Sequence, residues 1–297
     1  MSTAPALRVG LFGTGPWART MHGPALAAHP GVELSGVWGR RPEAAAETAA
    51  ALGTRPYADA DALIADVDAV AVALPPAVQA PLAARAARAG RHLLLDKPLA
   101  ATVEAARDVV AAVEEGGVRS VVFFTVRFDP AGAAWIAEQA AAGGWYTGRA
   151  DWYGAVFGDG ASPFADSPWR RDKGGLWDVG PHALSVLLPV LGDVADLADV
   201  AAFRGPGDLV HLTLRHAGGA SSTAALTLTA PPAGAGVACE LRGTHGVATY
   251  PGAAGIAGEE AYTRAVDALL APEPHACDAR FGLRVTEILA AAEAALG

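Results

Sequence analysis

At 297 residues the chain is longer than one ordinary domain and suits two, and a hydrophobic share of 52% is ample for two cores. The net charge of −9, with basic residues met only as isolated pairs such as Arg40-Arg41 and Arg170-Arg171, excludes the clustered cationic surface that nucleic-acid phosphates require.

Leu7 to Phe12 is a short apolar run closed by glycines, the pattern of a buried parallel strand. A helix is predicted from Pro16 to Ala28, with proline in its first turn, then a strand from Val32 to Trp38 and a helix from Pro42 to Leu52. The alternation continues through Ala69 to Leu74, Ala77 to Ala89, His92 to Leu95, Val103 to Glu115 and Ser120 to Val126. Strand and helix in strict succession imply right-handed crossovers and a doubly wound parallel sheet over residues 1–125. The rhythm then changes. Helices are predicted at Pro130 to Ala142 and Asp178 to Leu191, with a strand at Arg149 to Phe157. Five strand-like runs follow, Ala195 to Phe203, Leu209 to His216, Ser221 to Leu228, Val237 to Arg242 and Val247 to Tyr250, and a helix from Arg280 to Leu296 closes the chain. Residues 126–297 therefore read as an α+β domain with a large, mostly antiparallel open sheet, and the fold class is α/β. The runs from Ala195 to Tyr250 alternate imperfectly and several are apolar on both faces. A sheet covered on one side only would then leave an apolar face, from which a dimer or larger assembly is expected.

Cys239 and Cys277 have neither a disulfide framework nor metal-ligand spacing, and no metal is expected. The apolar stretches are broken by Pro75, Pro76 or Gly192 before the roughly 20 residues that span a bilayer. Met1 to Arg8 lacks the charged-then-apolar order of a secretory leader. The expectation is a cytoplasmic protein with neither membrane nor nucleic acid as partner.

Three segments carry chemistry. Gly13-Thr14-Gly15-Pro16-Trp17-Ala18 directly follows the first strand and opens the first helix, the context that a G-x-G-x-x-G/A dinucleotide fingerprint requires. The glycines permit a tight turn and close pyrophosphate approach, and the helix N-terminus favours the anion. At the end of the second strand, where an acid would select NAD, the sequence reads Trp38-Gly39-Arg40-Arg41. Arginine there suits the 2′-phosphate of NADP, and Gly39 leaves room for it, so NADP is the preferred cofactor with NAD possible. The pair would otherwise be a solvated helix start, an unfavourable place for cations.

Asp96-Lys97-Pro98 ends a buried strand, at the side of an open α/β sheet where ligands bind. Only Lys97 and Lys173 among the 22 basic residues are lysine. A chain so biased toward arginine keeps lysine where a compact amine able to lose its proton matters, which favours a functional Lys97. For Lys173 chance is the favoured reading. The third segment, Lys173 to His182, places Asp178 and His182 four residues apart, on one face of a helix, behind a Gly-rich approach. An acid beside an imidazole can bind a polyol and move protons. The same spacing also fits an N-cap aspartate and a packed helical histidine.

Together these residues resemble the Gfo/Idh/MocA family, the glucose–fructose oxidoreductase and inositol dehydrogenase group. Its glycine fingerprint, T-P-x-x-x-H segment, E-K-P motif and G-G-x-x-x-D-x-G-x-H motif have counterparts in Gly13 to Ala18, Leu74-Pro75 to Gln79, Asp96-Lys97-Pro98 and Gly174 to His182. Arg127-Phe128-Asp129-Pro130 resembles the family's R-F-x-P start to the second domain. The resemblance implies a Rossmann domain followed by an α/β domain whose open sheet often mediates homodimers or homotetramers. It also implies hydride exchange between nicotinamide and a secondary alcohol of a sugar, cyclitol or related compound. Lys97, Asp178 and His182 match the family's catalytic lysine, aspartate and histidine. Asp96 departs from its glutamate, Leu74 and Gln79 from a threonine and a histidine, and Ser185 from an aspartate three residues past the histidine.

On this reading His182 carries the hydroxyl proton, since an imidazole ordinarily titrates closer to the working range than an amine does. Lys97 holds the substrate oxygen and steadies charge developing on it. Asp178 orients a hydroxyl or the imidazole, and Arg127, Trp169 and Arg170 line the substrate pocket. An imine reductase or redox-assisted lyase on the same scaffold, and a non-catalytic ligand sensor, remain the alternatives.

Overall fold

The computed structural model describes residues 5–158, 162–252 and 258–297. The chain forms two compact units. The first comprises residues up to 123 together with 258–283, the second residues from 124 to 252 and 284–297.

The first unit is a six-stranded sheet in the order β3-β2-β1-β4-β5-β6, from β1 (Leu7–Phe12), β2 (Val32–Trp38), β3 (Pro56–Tyr57), β4 (Ala69–Val72), β5 (His92–Asp96) and β6 (Ser120–Phe123). Every pairing is parallel. Its helices are α1 (Gly23–Ala28), α2 (Pro42–Ala51), α3 (Ala60–Asp66), α4 (Pro76–Arg88) and α5 (Val103–Gly116). Residues 16–28 are helical throughout, but Ala18–His22 is a π-helical turn, a widening often found at functional sites. Small residues let helices approach the sheet closely: Ala69, Val70, Ala71 and Val72 of β4 are each no more than 1% exposed. Local chemistry sets the helix ends. Asp59 caps α3, Thr102 caps α5, and Gly117 in the left-handed region (φ 59°) closes α5.

α10 (Gly258–Leu270) belongs to this unit, although the sequence reading assigned its residues to the second domain. Its buried stripe of Ala261, Tyr262, Ala265, Val266 and Leu269 packs on α1 and β6. α11 (Ala279–Ala295) begins in the first unit and ends in the second.

The second unit is a mixed sheet in the order β12-β11-β7-β10-β9-β8, from β7 (Trp145–Tyr153), β8 (Ala201–Arg204), β9 (Val210–Arg215), β10 (Ser221–Thr227), β11 (Gly236–Gly243) and β12 (Gly246–Thr249). β7 and β10 run parallel and the other pairs antiparallel. α6 (Thr125–Phe128), α7 (Pro130–Ala142), α8 (Pro168–Asp178) and α9 (Gly180–Leu191) complete the unit, with α9 packed on β7 and β10. Gly148 allows that approach, since a Cβ there would meet Leu191 at 2.9 Å.

Two expectations are corrected here. The helix foreseen from Asp178 to Leu191 is two helices meeting at Val179, because Pro181 has no amide to continue the ladder. Nor is the sheet broadly apolar on both faces. β9 alternates strictly, with Val210, Leu212 and Leu214 buried and His211, Thr213 and Arg215 exposed. Their row-mates Thr223, Arg149 and Glu240 continue a polar face, on which Phe203 is an exception at 64% exposure.

Candidate active site

In the first unit the strand order reverses between β1 and β4, so the loops after these strands diverge and open a crevice at their carboxyl ends. A cleft of about 490 Å³ lies there, lined by Thr14, Gly15, Gly39, Arg40, Arg41, Ala73, Leu74 and Pro75. The three glycines have different reasons for being glycine. Gly13 adopts φ 136°, and a Cβ on it would lie 2.5 Å from the Ala73 carbonyl oxygen. A Cβ at Gly39 would strike the Thr14 methyl at 2.6 Å. Gly15 alone has no protein atom within 4 Å of its absent Cβ, so that space is left for something other than the chain. Ala18 is fully buried as the small residue that lets the helix pack, with Pro16 and Trp17 in the turn before it. A backbone cradle with open space at Gly15, at the start of a helix and flanked by two arginines, fits the pyrophosphate and ribose of a dinucleotide.

The end of β5 carries the second part. Lys97 and Asp96 are half-buried, and the Lys97–Pro98 peptide is cis. The Asp96 carboxylate accepts the Lys97 backbone N–H at 2.8 Å. Gln79 of α4, only 1% exposed, holds this turn from beneath. Its Nε2 donates to the carbonyls of Asp96 (2.7 Å), Pro98 and Leu99 (both 3.2 Å), and its Oε1 accepts from the Asp96 amide at 2.9 Å. Gln79, which in sequence is only a departure from the family histidine, thus shapes the backbone that presents Lys97.

In the second unit Asp178 ends α8 and His182 lies in the first turn of α9. The Asp178 carboxylate pairs with Arg170 Nε at 3.0 Å, with side chains only 8% and 11% exposed. The Arg170 guanidinium also lies over the rings of Trp169 (4.6 Å) and Phe164 (4.8 Å). It is therefore committed to Asp178 and an aromatic cage. The His182 ring stacks on Trp152 of β7, centroids 5.3 Å apart and planes at 14°. Ser185 is fully buried and donates to the His182 carbonyl at 2.8 Å, while Arg127 donates to the Ser185 carbonyl at 3.3 Å. Lys173 pairs with Glu293 at 2.9 Å above the Trp177 ring, a structural role. Among the described residues no His, Cys, Asp and Glu cluster could hold a metal, and no helix is long and apolar enough to cross a membrane.

Sequence reasoning brought together the cleft residues from Thr14 to Pro75, missed Ala73 and Trp152, and named Gln79 without its role under the Asp96–Leu99 turn. Gln79 carried a signal, a polar residue on the apolar side of a helix; Trp152 carried none beyond its ring.

The profile of an oxidoreductase family with an NAD-binding Rossmann fold, GFO_IDH_MocA, matches residues 7–124, and that of the GFO/IDH/MocA C-terminal domain matches residues 146–249. A dTDP-3,4-didehydro-2,6-dideoxy-alpha-D-glucose 3-reductase of Streptomyces antibioticus is 33% identical over 193 residues, covering 64% of this chain and 58% of the relative. An inositol 2-dehydrogenase of Rhizobium meliloti (strain 1021) is 33% identical over 125 residues, covering 42% of this chain and 38% of the relative. In each case the match spans less than two thirds of the relative's length. The crystal structure of an oxidoreductase domain protein from Kribbella flavida superposes with a TM-score of 0.84 at 25% identity, over 98% of this chain and 97% of that one. With both domain profiles matched in order, the chain belongs to the Gfo/Idh/MocA family of oxidoreductases.

Proposed function

We propose that this oxidoreductase prefers NADP over NAD and acts on a secondary alcohol or the corresponding ketone of a sugar, cyclitol or related small molecule. The observation that carries the reading is the cleft of the first unit: a glycine turn open at Gly15, arginines at its β2 side and the Leu74-Pro75 loop opposite. The names of the relatives, a nucleotide-sugar reductase and an inositol dehydrogenase, support the substrate class.

The turn from Gly13 to Ala18 holds the pyrophosphate through its backbone, although Pro16 has no N–H and the Gly13 N–H is given to the Trp38 carbonyl at 2.9 Å. Arg40 and Arg41 meet the 2′-phosphate by charge-assisted bonds. When bound, the nicotinamide supplies or accepts the hydride. Lys97 Nζ holds the substrate oxygen and stabilises negative charge on it, its backbone fixed by Gln79. His182 takes or returns the hydroxyl proton, its ring plane set by Trp152. Asp178, anchored by Arg170, orients the substrate or the imidazole. A homodimer or homotetramer is proposed, through the uncovered face of the second sheet that carries Phe203. Cys239 and Cys277 are both buried thiols, which supports a cytoplasmic protein.

Titration of NADPH and NADH by fluorescence, followed by a panel of polyols and ketones read by nicotinamide absorbance, tests this. Tighter NADPH binding is expected, and Arg40→Ala should lower the preference by about ten- to a hundredfold. Equal affinities in the unmodified protein would overturn the NADP assignment. Cofactor binding without turnover on any alcohol or ketone would overturn the reaction.

A further inference from the structure

We propose that Asp208, in the turn between β8 and β9, is a positioning residue that fixes the helical turn carrying Asp178. Its carboxylate accepts six hydrogen bonds from five groups of two other segments. The amide of Gly175 donates at 2.8 Å, that of Leu228 at 3.0 Å and that of Thr229 at 3.2 Å. Leu228 is shared with the second carboxylate oxygen at 3.1 Å, and the hydroxyls of Thr227 and Thr229 also donate, the latter at 2.8 Å.

Where those donors lie gives the arrangement its meaning. α8 is interrupted at Gly174, whose φ of 60° and ψ of −162° are not helical, and a fresh turn runs from Gly175 to Asp178. Gly175 N–H is the first amide of that turn, and its carbonyl accepts from Val179 at 3.0 Å. A new helical turn begins with unpaired amides and a positive dipole end, which a carboxylate satisfies. Ordinarily a residue just upstream does this. Here the upstream residue is Gly174, and an aspartate 33 residues further along the chain takes over. The glycines make the approach possible: a Cβ on Gly175 would lie 2.6 Å from Thr227 Cα, and one on Gly174 3.3 Å from Asp208 Cβ. Asp208 thus anchors the start of the turn to the end of β10, and Arg170 anchors its end at Asp178. Only Leu176 and Trp177 lie between the two anchors, so a displacement at Gly175 moves the Asp178 carboxylate directly.

This rests on Asp178 acting in the reaction proposed above, and the test separates the two. Asp208→Asn replaces an acceptor by an amide NH₂ that confronts the Gly175 and Leu228 donors. Thr229→Val removes one hydroxyl from the same cluster and leaves Gly175 bonded. Amide hydrogen exchange should accelerate at Gly175 to Val179 in Asp208→Asn by at least about tenfold and stay unchanged there in Thr229→Val. With a substrate of the unmodified enzyme, Asp208→Asn should lower kcat by about 10- to 100-fold while KM stays within about threefold, and Thr229→Val should keep kcat. Asp208→Glu, which retains the charge, should recover part of kcat, and it carries the comparison if Asp208→Asn does not fold. Unchanged exchange at Gly175 in the folded variants would overturn the anchoring whether or not turnover is found. Altered exchange with full kcat would overturn the role in positioning. Absence of turnover in the unmodified enzyme would count against the proposed reaction alone.

Discussion

Lys97 is the point at which a side chain of distinct chemistry meets a backbone held by others. Lys97→Met should leave NADPH affinity within a few-fold, because the proposed pyrophosphate site is at Gly13 to Ala18, away from the Lys97 side chain. Turnover should fall by about 10² to 10⁴-fold, the usual loss with a proton carrier or an oxyanion donor. His182→Ala should show the same pattern. The losses should not multiply in the double variant if both groups serve one oxygen, so steady-state kinetics of all three proteins decide the matter. Full turnover in Lys97→Met would show that the catalytic centre lies elsewhere. Lys97, Asp178 and His182 could be proposed from sequence because each lies inside a short motif whose residue types suggest a chemistry. Arg170 was legible only as a residue near a pocket. Its bond to Asp178 bridges eight residues across the Gly174 kink, which periodicity does not reveal. Asp208 left no local trace at all, since its meaning depends on a contact 33 residues away.

Elements were read well wherever a simple period held. β1, β2 and α7 fall on their predicted residues, because a buried apolar run or a proline-started helix defines each end. α8 was missed because Pro168 to Gly174 is polar and glycine-ended, without an apolar stripe. α10 does carry such a stripe, and its residues were passed over between loop signals. Gln79 links two well-read elements in a way that neither pattern showed. Gln79→Ala would strip one amide and three carbonyls of their partner beneath the Asp96–Pro98 turn. Unsatisfied buried groups cost about 1–3 kcal/mol each, less whatever water repairs. The variant should therefore lose stability in urea unfolding, and its kcat should fall while NADPH affinity changes little. Unaltered kcat would mean that the turn keeps Lys97 in place without Gln79.

For the whole molecule, a polar sheet face with exposed Phe203 and the proposed assembly make one measurement decisive. Light scattering at micromolar concentration should give a dimer or tetramer, and Phe203→Asp should shift it toward the monomer; a monomer for the unmodified chain would refute the assembly. The stability of both units should also depend on pH through buried histidines. His22 in the π-helical turn is 1% exposed, stacked on Tyr262 at 4.0 Å and edge-on to Phe123, and neither ring nitrogen has a hydrogen-bond partner among the described residues. Burial holds its pKa down to about 3, and burial likewise lowers His92 and, in the second unit, His216. With folded values below the unfolded one, the unfolded chain binds more protons as pH falls below about 6.5. Stability is therefore fully present above that pH and is lost on acidification, for His22 across the window from about 6.5 to about 3. Well inside its window His22 adds a slope of about 1.4 kcal/mol per pH unit. His22→Phe keeps an aromatic ring against Tyr262 and removes the titrating group. Urea unfolding of the two proteins between about pH 7 and about pH 4 should show a slope smaller by close to one proton in the variant. Parallel curves would mean that His22 takes up its proton in the folded state as readily as in the unfolded chain, and that the pocket around Tyr262 admits a charge.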